Sequence, residues 1–480
     1  MNKLKKTLAL VATLAIASTA FVACDKDDSS STGGTNSKAD TSTSDSKAED
    51  SKQEEAGPKV EFEDTGDMLS ILCWTPDDVN KMIEHFEEKN ADYAGKCNFV
   101  KIGDDGAAAR EEYVTYFASG DDVDLFVLEA DWILEYINDD DYTAPMSKLG
   151  FKDSDFDGNY DYTIQVGTNE AGVLKAVSWQ ATPGAYVYRT SLAEQYLGVK
   201  TPDEMQAKVK DWATLQATGK ELSEKTNGKV AIVDTLGGMW QVYSYNRSNA
   251  WVDKDNKLVI DDYCKEYADI AKSMWDNKYV THEAQWDNPA WYNIGINGDT
   301  LGYFFCTWCL GTGSMLSNAS GGINEDGSAK NEAVYGDYSI CAGPSFYAWG
   351  GSWLAVSPSC DNGTMARDFV EFFTVKEDSM KSYALFKSEF VNNPTVMKSI
   401  VDEKTNKNPL LGGADQFAVL YDSASKIKMD NITAYDAQIK KMYNDAISAY
   451  AKGTEGFETY DKAMEKFKEQ VATIAGVIVE

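Results

Sequence analysis

Apolar and polar positions follow two different periods in the chain from about residue 60. Short apolar runs predict buried strands at 69–74, 99–102 and 124–128. Between these runs, apolar residues at helical spacing predict helices at 79–89 and 110–119. Strands that alternate with helices are typical of α/β layers with a largely parallel sheet. The fold class predicted for this part of the chain is therefore α/β.

A second set of elements follows. Strands are predicted at 172–177, 230–233, 302–306 and 350–356, and helices at 201–205, 211–222, 262–278, 366–374, 435–451 and 457–474. A folded part of this length is enough for two domains. Ligands in α/β sheets bind beyond the carboxyl ends of the strands, which is where Trp74 and Asp131-Trp132 fall.

The first residues have a different pattern. Lysines at positions 3, 5 and 6 precede an apolar segment that is too short to span a bilayer. Small residues then lead into Cys24, as in the signal of bacterial lipoproteins, where the cysteine receives a diacylglycerol. We predict a signal peptide over 1–23 and lipidation of Cys24, although Phe21 replaces the usual Leu. The alternative is an ordinary secretory signal with a chance cysteine.

Residues 24–59 are rich in Ser, Thr, Asp, Glu, Lys and Gly and hold almost nothing apolar. Such a segment buries too little apolar surface to offset its ordering entropy. We therefore predict a disordered tether between the lipidated Cys24 and a folded part that begins near residue 60. The predicted location is the outer face of the cytoplasmic membrane, with a Gram-positive cell as the favoured host.

Charge and histidine content exclude several functions. The net charge of -32 argues against nucleic-acid binding, which needs an excess of Lys and Arg. Only His85 and His282 are available, so triad catalysis and histidine-based zinc sites are not expected. His85 lies on the flank of an amphipathic helix, and we predict it at the surface. No cofactor is predicted.

Cysteine and aspartate spacings suggest two further kinds of chemistry, redox and calcium binding. Seven cysteines remain after Cys24, and they include the pair Cys306 and Cys309; we predict buried, unreactive thiols. Asp153, Asp155 and Asp157 have the spacing of a calcium loop, but Ile164 occupies the position of the bidentate Glu. They are a weak calcium candidate, and the metal prediction is none.

The order of these segments resembles family 1 extracellular solute-binding proteins, the sugar-binding components of ABC importers. The resemblance rests on these segments: the strand ending at Trp74, 86–90, 124–127, 172–188, 201–205, 298–308, 350–356 with 366–369, and a closing helix pair around 452–454. Tyr188-Arg189 departs from the family's usual Tyr-Asn, and the cysteines beside Trp308 are also unusual.

The resemblance implies a type II periplasmic-binding-protein-like fold, in which two hinged lobes close over a ligand. Lobe 1 would hold 60–180 and about 345–378; lobe 2 would hold 181–344 and about 379–480. The chain would cross from one lobe to the other near 176–184, near 343–350 and after Thr374. The expected protein is a monomer that docks on membrane permease subunits when closed.

Aromatic planes suit the apolar faces of sugar rings, and polar groups suit their hydroxyl edges. The predicted ligand is therefore a carbohydrate, with an oligosaccharide favoured, and no catalysis is expected. The candidate binding residues are Trp74, Asp131, Trp132, Gln180, Trp240, Trp308, Trp349, Gly350 and Gly351. Two alternatives stay open: the same fold with a peptide or metabolite as ligand, and a surface glycoside hydrolase with paired carboxylates.

Overall fold

Two β-sheets organise the computed structural model, which describes residues 59–120, 123–311, 313–324, 326 and 328–480. The strands are β1 (Leu69–Cys73), β2 (Cys97–Lys101), β3 (Leu125–Glu129), β4 (Ala176–Ser178), β5 (Gly184–Arg189), β6 (Gly302–Cys306), β7 (Tyr338–Cys341) and β8 (Ser352–Val356). One sheet has the order β2-β1-β3-β8-β4, and the other has the order β6-β5-β7. The predicted signal peptide, Cys24 and the tether to residue 58 lie outside the described residues.

Helices surround both sheets. They are α1 (Pro76–Lys89), α2 (Gly106–Ser119), α3 (Ile133–Ile137), α4 (Asp161–Gly167), α5 (Thr190–Leu192), α6 (Pro202–Val209), α7 (Trp212–Thr226), α8 (Leu236–Ser244), α9 (Asp262–Asp276), α10 (Ala290–Asn297), α11 (Met315–Ala319), α12 (Gly363–Thr374), α13 (Glu377–Lys387), α14 (Pro394–Glu403), α15 (Gln416–Ala424), α16 (Asp436–Lys452) and α17 (Tyr460–Val471). Short 3-10 helices lie at Ala91–Tyr93, Met146–Leu149, Asp153–Phe156, Thr307–Cys309 and Pro409–Leu411, and a π-helix at Ala193–Leu197. In the described part of the chain, none of these helices has the length and apolarity that crossing a bilayer requires.

Helix starts follow local capping chemistry. The Thr201 side chain accepts a hydrogen bond from the N–H of Glu204, and the Glu204 carboxylate accepts one from the N–H of Thr201, as a capping box requires. Pro202 occupies the first turn, where a missing N–H leaves no hydrogen bond unmade. Asp105 and Asp211 cap α2 and α7 through their carboxylates. α7 therefore starts within one residue of its predicted start, whereas α2 starts four residues before the predicted residue 110, where Asp105 caps it.

The first sheet is only partly parallel. β1 pairs in parallel with β2 and β3, as the alternation of strands and helices predicts. β8 runs antiparallel to both β3 and β4, with Glu129 opposite Ser352. Because β8 returns from the second sheet, it enters the first sheet at the carboxyl end of β3. The prediction of a largely parallel sheet therefore holds for three of its strands.

The second sheet is entirely antiparallel, with β5 between β6 and β7. The predicted strand at 230–233 forms only isolated bridges, from Ala231 to Thr300 and from Val233 to Val280. β5, by contrast, is buried at every position and forms the middle of this sheet. The second sheet is therefore built from a strand that periodicity did not predict.

Three stretches of chain connect the two sheets. β4 leads to β5 through 179–183, and β7 leads to β8 through 342–351. The third stretch follows α13, which packs against α1 and α12 on the side of the first sheet. In this stretch Val391 forms an isolated β-bridge with Gln180. α15 then contacts β5 and β7. The lobe boundaries stay a prediction, and these contacts favour a third crossing near 388–393 over one directly after Thr374.

The calcium-loop spacing has a structural explanation. Asp153–Phe156 forms a 3-10 helix, and the Asp155 carboxylate accepts a hydrogen bond of 2.8 Å from the Lys152 N–H. Nowhere in the described residues do three or more His, Cys, Asp or Glu side chains form a group that could hold a metal. The seven described cysteines are buried free thiols, as predicted.

The prediction of a surface position for His85 is wrong. Its side chain is 2% exposed, because α13 covers this flank of α1. The imidazole Nε2 lies 3.0 Å from the Ser382 hydroxyl, and the ring stacks on Phe386 at 4.6 Å. Burial lowers the pKa of His85 below its ordinary value of 6.5, since the charged imidazolium loses its hydration.

This burial predicts a pH-dependent stability. The unfolded chain takes up a proton at His85 before the folded chain does, so the contribution of His85 to the free energy of unfolding is full above pH 6.5 and is lost as the pH drops below it. Buried carboxyls such as Glu129 titrate in the same range with the opposite sign, so the change in the free energy of unfolding between about pH 7.5 and about pH 5.5, measured with urea, is compared between variants. Relative to wild type, we expect His85→Gln to lose less, or gain more, stability on acidification, and His282→Gln, whose side chain is exposed, to change as wild type does. Equal changes in all three proteins would contradict the assignment.

Candidate functional site

The pairing of β3 with β8 places the Glu129 side chain beside two glycines. Glu129 ends β3 opposite the start of β8, and the N–H of Ala130 donates to the carbonyl of Gly351 at 3.3 Å. Gly350 and Gly351 both have positive φ, of 63° and 113°. A Cβ at Gly351 would lie 2.9 Å from Cζ3 of the buried Trp353 ring. Glycine is therefore required where the chain enters the first sheet.

Two tryptophans meet at this entry point and form an aromatic pair. Trp308 follows β6 of the second sheet, and Trp349 lies just before β8 of the first. Their ring centroids are 5.0 Å apart, and the Trp308 Nε1–H donates to the Trp349 carbonyl at 2.9 Å. A Cβ at Gly350 would lie 3.6 Å from Glu129 Oε1 and 3.7 Å from Trp308 Nε1. The aromatic pair and the Glu129 carboxylate thus flank the same glycine.

An ion pair joins the elements of the two sheets at this site. Lys440 on α16 donates to Asp131 Oδ1 at 2.6 Å, with the lysine side chain 10% exposed and the aspartate 33% exposed. The ammonium also lies 4.5 Å from the centre of the Tyr245 ring. α16 packs on α8 and α9, whereas Asp131 follows β3. The pair therefore connects α16, which packs through α8 on the side of β6, to the end of β3 in the first sheet.

The Glu129 carboxyl has a raised pKa. Its Oε2 accepts a hydrogen bond of 3.0 Å from the Asp131 N–H. Burial and the nearby Asp131 charge raise the pKa of Glu129 to about 8, although the N–H bond and Lys440 oppose the shift. When it holds a proton, this carboxyl is able to donate as well as accept a hydrogen bond.

Trp74 and Trp132 lie at the same edge of the first sheet. Their ring centroids are 5.7 Å apart. Trp132 is 4% exposed and packs against Tyr113 and Tyr136, whereas Trp74 is partly exposed. The Trp74 ring is thus accessible to a ligand, and the buried Trp132 ring packs next to it.

Two other candidates lie elsewhere. Trp240 lies within α8. Its ring is 6% exposed and packs at 4.8 Å from Tyr267 and 5.2 Å from Tyr443, inside the second lobe. Gln180 is 6% exposed and bridges to Val391 in the segment that connects the sheets. Trp240 is therefore part of the hydrophobic core, and Gln180 lies in a segment that connects the two sheets.

Glu129, Lys440 and Tyr245 are site residues that the sequence did not lead us to predict. The sequence pattern could have identified Glu129, because it lies at the end of a predicted strand, two residues before Asp131. No sequence pattern marks Lys440 or Tyr245, since their positions within or after helices resemble those of many surface residues. Only the packing of α16 beside β3 brings Lys440 to the carboxylates.

Two sheets, three connections and a polar, aromatic site between them define a two-lobed solute-binding protein. The family model of the bacterial extracellular solute-binding proteins matches residues 81–413. The chain therefore belongs to the bacterial extracellular solute-binding proteins, a family of solute binders and not of enzymes. The resemblance identified in the sequence is confirmed, and the function of the chain is to bind a solute.

Solved structures share the fold at low sequence identity. The lacto-N-biose-binding protein of an ABC transporter from Bifidobacterium longum superposes with a TM-score of 0.65 at 15% identity, covering 87% of this chain and 100% of that one. The ABC-transporter-associated binding protein from B. animalis, in complex with β-1,6-galactobiose, superposes with a TM-score of 0.64 at 16% identity, covering 86% of this chain and 99% of that one. The sugar-binding protein MalE from Xanthomonas citri superposes with a TM-score of 0.64 at 14% identity, covering 84% of this chain and 97% of that one. No curated protein matches the sequence.

The glycine at the entry to β8 yields a stability prediction. Gly351→Ala meets both a positive φ and the Trp353 ring, so we expect a loss of about 2–4 kcal/mol in the free energy of unfolding. Gly413→Ala is the matched control: its φ is 85°, and a Cβ there meets nothing within 4 Å. Urea unfolding should give the control a loss of about 1–2 kcal/mol. Equal losses in the two variants would contradict the close approach at Gly351.

Proposed function

We propose that the protein captures a sugar, with an oligosaccharide favoured, and delivers it to the permease of an ABC importer without catalysing a reaction. The observation that carries this proposal is the aromatic pair beside Glu129 and the Asp131–Lys440 ion pair. An indole face covers the C–H face of a sugar ring, while carboxyl and ammonium groups bond its hydroxyls. Trp308 is the partly exposed member of the pair and Trp349, which is 8% exposed, supports it, so the accessible indole surface and the polar groups lie at one place.

The neutral balance of the site fits an uncharged ligand. Lys440 offsets Asp131, and burial favours the uncharged form of Glu129. A charged solute would add an unbalanced charge to this partly buried site, which costs free energy unless a partner accompanies it. Sugar hydroxyls, in contrast, both donate and accept hydrogen bonds. The charge balance therefore favours a neutral polyhydroxylated ligand over a charged peptide or metabolite.

The relatives support the same assignment. The two bifidobacterial structures described above hold lacto-N-biose and β-1,6-galactobiose, and both proteins are associated with ABC transporters. Membership of the extracellular solute-binding family supports a binding step outside the cytoplasm. We infer that this chain delivers its ligand to a membrane permease, working as a monomer.

Lobe closure would couple binding to delivery. With the predicted boundaries, Trp308 and Lys440 would belong to lobe 2, and Asp131 and Glu129 to lobe 1. A ligand that touches both sets favours the closed arrangement, because only that arrangement allows all of the contacts. The connecting segments 179–183 and 342–351, which are not part of any strand, would absorb the hinge rotation.

The glycan assignment is tested by calorimetry with a panel of plant, starch and host oligosaccharides. We expect one class to bind with about micromolar affinity, near -8 kcal/mol. Trp308→Ala should weaken that binding at least tenfold, about 1.4 kcal/mol, through loss of an indole plane. The matched control is Trp275→Ala on α9, whose ring stacks on His282 at 3.9 Å; it should keep the wild-type affinity.

Two outcomes of this panel would overturn the proposal. If no glycan binds while peptides or metabolites stabilise the protein against heat, the ligand is not a sugar. If a glycan is consumed and shorter products appear, the protein is a glycoside hydrolase. Unchanged affinity in Trp308→Ala would remove the aromatic pair from the site.

We further propose that a lipid on Cys24 holds the protein at the outer face of the cytoplasmic membrane, as on a Gram-positive cell. Two or three acyl chains give stable anchoring, since each buried methylene contributes about 0.8 kcal/mol. Cys24→Ala should abolish labelling by a radioactive fatty acid and release the protein from the membrane fraction. Cys264→Ala, a buried thiol of α9, is the control and should stay in that fraction. A labelled Cys24→Ala protein would contradict the anchor.

A further inference from the structure

Trp286 differs from the other tryptophans of the described chain. Its side chain is 51% exposed, and the remaining exposed large hydrophobics of that part are Met, Val, Leu, Phe and Ile residues. Its backbone has a φ of 70°, a conformation that bulky residues rarely adopt. Such an outlier persists only where surrounding structure holds it, and it directs attention to function.

Ring contacts hold Trp286 in place next to the aromatic pair. Its ring centroid lies 5.3 Å from that of the fully buried Trp291 and 5.8 Å from that of Trp349. Trp349 in turn lies 5.0 Å from Trp308. The three rings Trp308, Trp349 and Trp286 thus form a continuous series that leads from the junction of the two sheets to solvent.

Polar atoms without partners accompany this series. Gln285 Nε2 and Thr307 Oγ1 are buried and have no hydrogen-bond partner among the described residues. Thr307 directly precedes Trp308, and Gln285 directly precedes Trp286. Gly237, at the start of α8, leaves room for Gln285, since a Cβ there would lie 2.5 Å from Gln285 Oε1. Each end of the ring series is therefore preceded in the chain by a residue whose polar group has unused hydrogen-bonding capacity.

We propose that Trp286 is a specificity-determining residue that binds the outermost ring of an oligosaccharide and so selects for ligand length. This inference rests on the proposed sugar-binding function. A short sugar seated on the aromatic pair ends before it reaches Trp286. A longer one extends along the ring series and covers the exposed indole face, which removes further apolar area from water.

The fixed position of Trp286 makes this contact efficient. Trp291, which is fully buried, packs against one side of the indole, so little side-chain freedom is lost when a ligand arrives. A freely rotating surface side chain would lose rotamer freedom on immobilisation. The contact with Trp291 removes most of that cost in advance.

The test is calorimetry with maltose through maltopentaose and with β-1,6-galactobiose through its pentamer, on wild type and Trp286→Ala. For the series that binds wild type, we expect Trp286→Ala to bind the disaccharide within about twofold of wild type and the pentamer at least tenfold more weakly. Trp308→Ala should weaken every length. Trp286→Phe keeps an aromatic plane and should recover most of the lost affinity for the pentamer.

Each outcome decides between the two claims. If wild type binds neither of these series nor any glycan of the wider panel, the sugar-binding proposal fails, and the length inference fails with it. If wild type binds but Trp286→Ala loses affinity equally at every length, or at none, sugar binding stands and the length inference is overturned. Thermal unfolding of each variant checks folding, and a half-exposed side chain should leave the melting temperature nearly unchanged.

Discussion

The antiparallel insertion of β8 between β3 and β4 is the constraint on which the rest of the structure depends. Five pairs of residues fix its register against β3, from Leu125 with Val356 to Glu129 with Ser352. A slip of one residue would turn the buried face of the strand toward the wrong layer. The register therefore fixes where Trp349 and its two glycines lie relative to Glu129, and this is the centre of the candidate site.

The same insertion couples the two lobes. β8 starts immediately after the segment that leaves the second sheet, so the site is built from the ends of both sheets and not from either alone. The Asp131–Lys440 pair adds a second connection across this junction. A partly buried ion pair of this kind contributes little net stability, because desolvation offsets its attraction. Its role is better understood as orientation: it fixes which surfaces of the two lobes face a ligand.

Local patterns predicted the first half of the first sheet well, because β1, α1, β2, α2 and β3 each satisfy one clear period. They failed where tertiary packing decides. β5 is buried on both faces and shows no alternation. His85 has the spacing of a surface flank until α13 covers it, and Trp240 has glycines before it but lies in a helix. Of the candidate site, Trp308, Trp349 and Asp131 were predicted from strand ends and glycines, whereas Lys440 and Trp286 depend on packing between distant segments.

The central claim, that the ligand is held between the ends of the two sheets, is tested most directly by hydrogen exchange with and without a bound glycan. We expect slower exchange at 129–132, 307–310 and 348–351 together, since ligand contact and lobe closure protect all three segments. Protection confined to one lobe, or to a surface away from these segments, would contradict the claim.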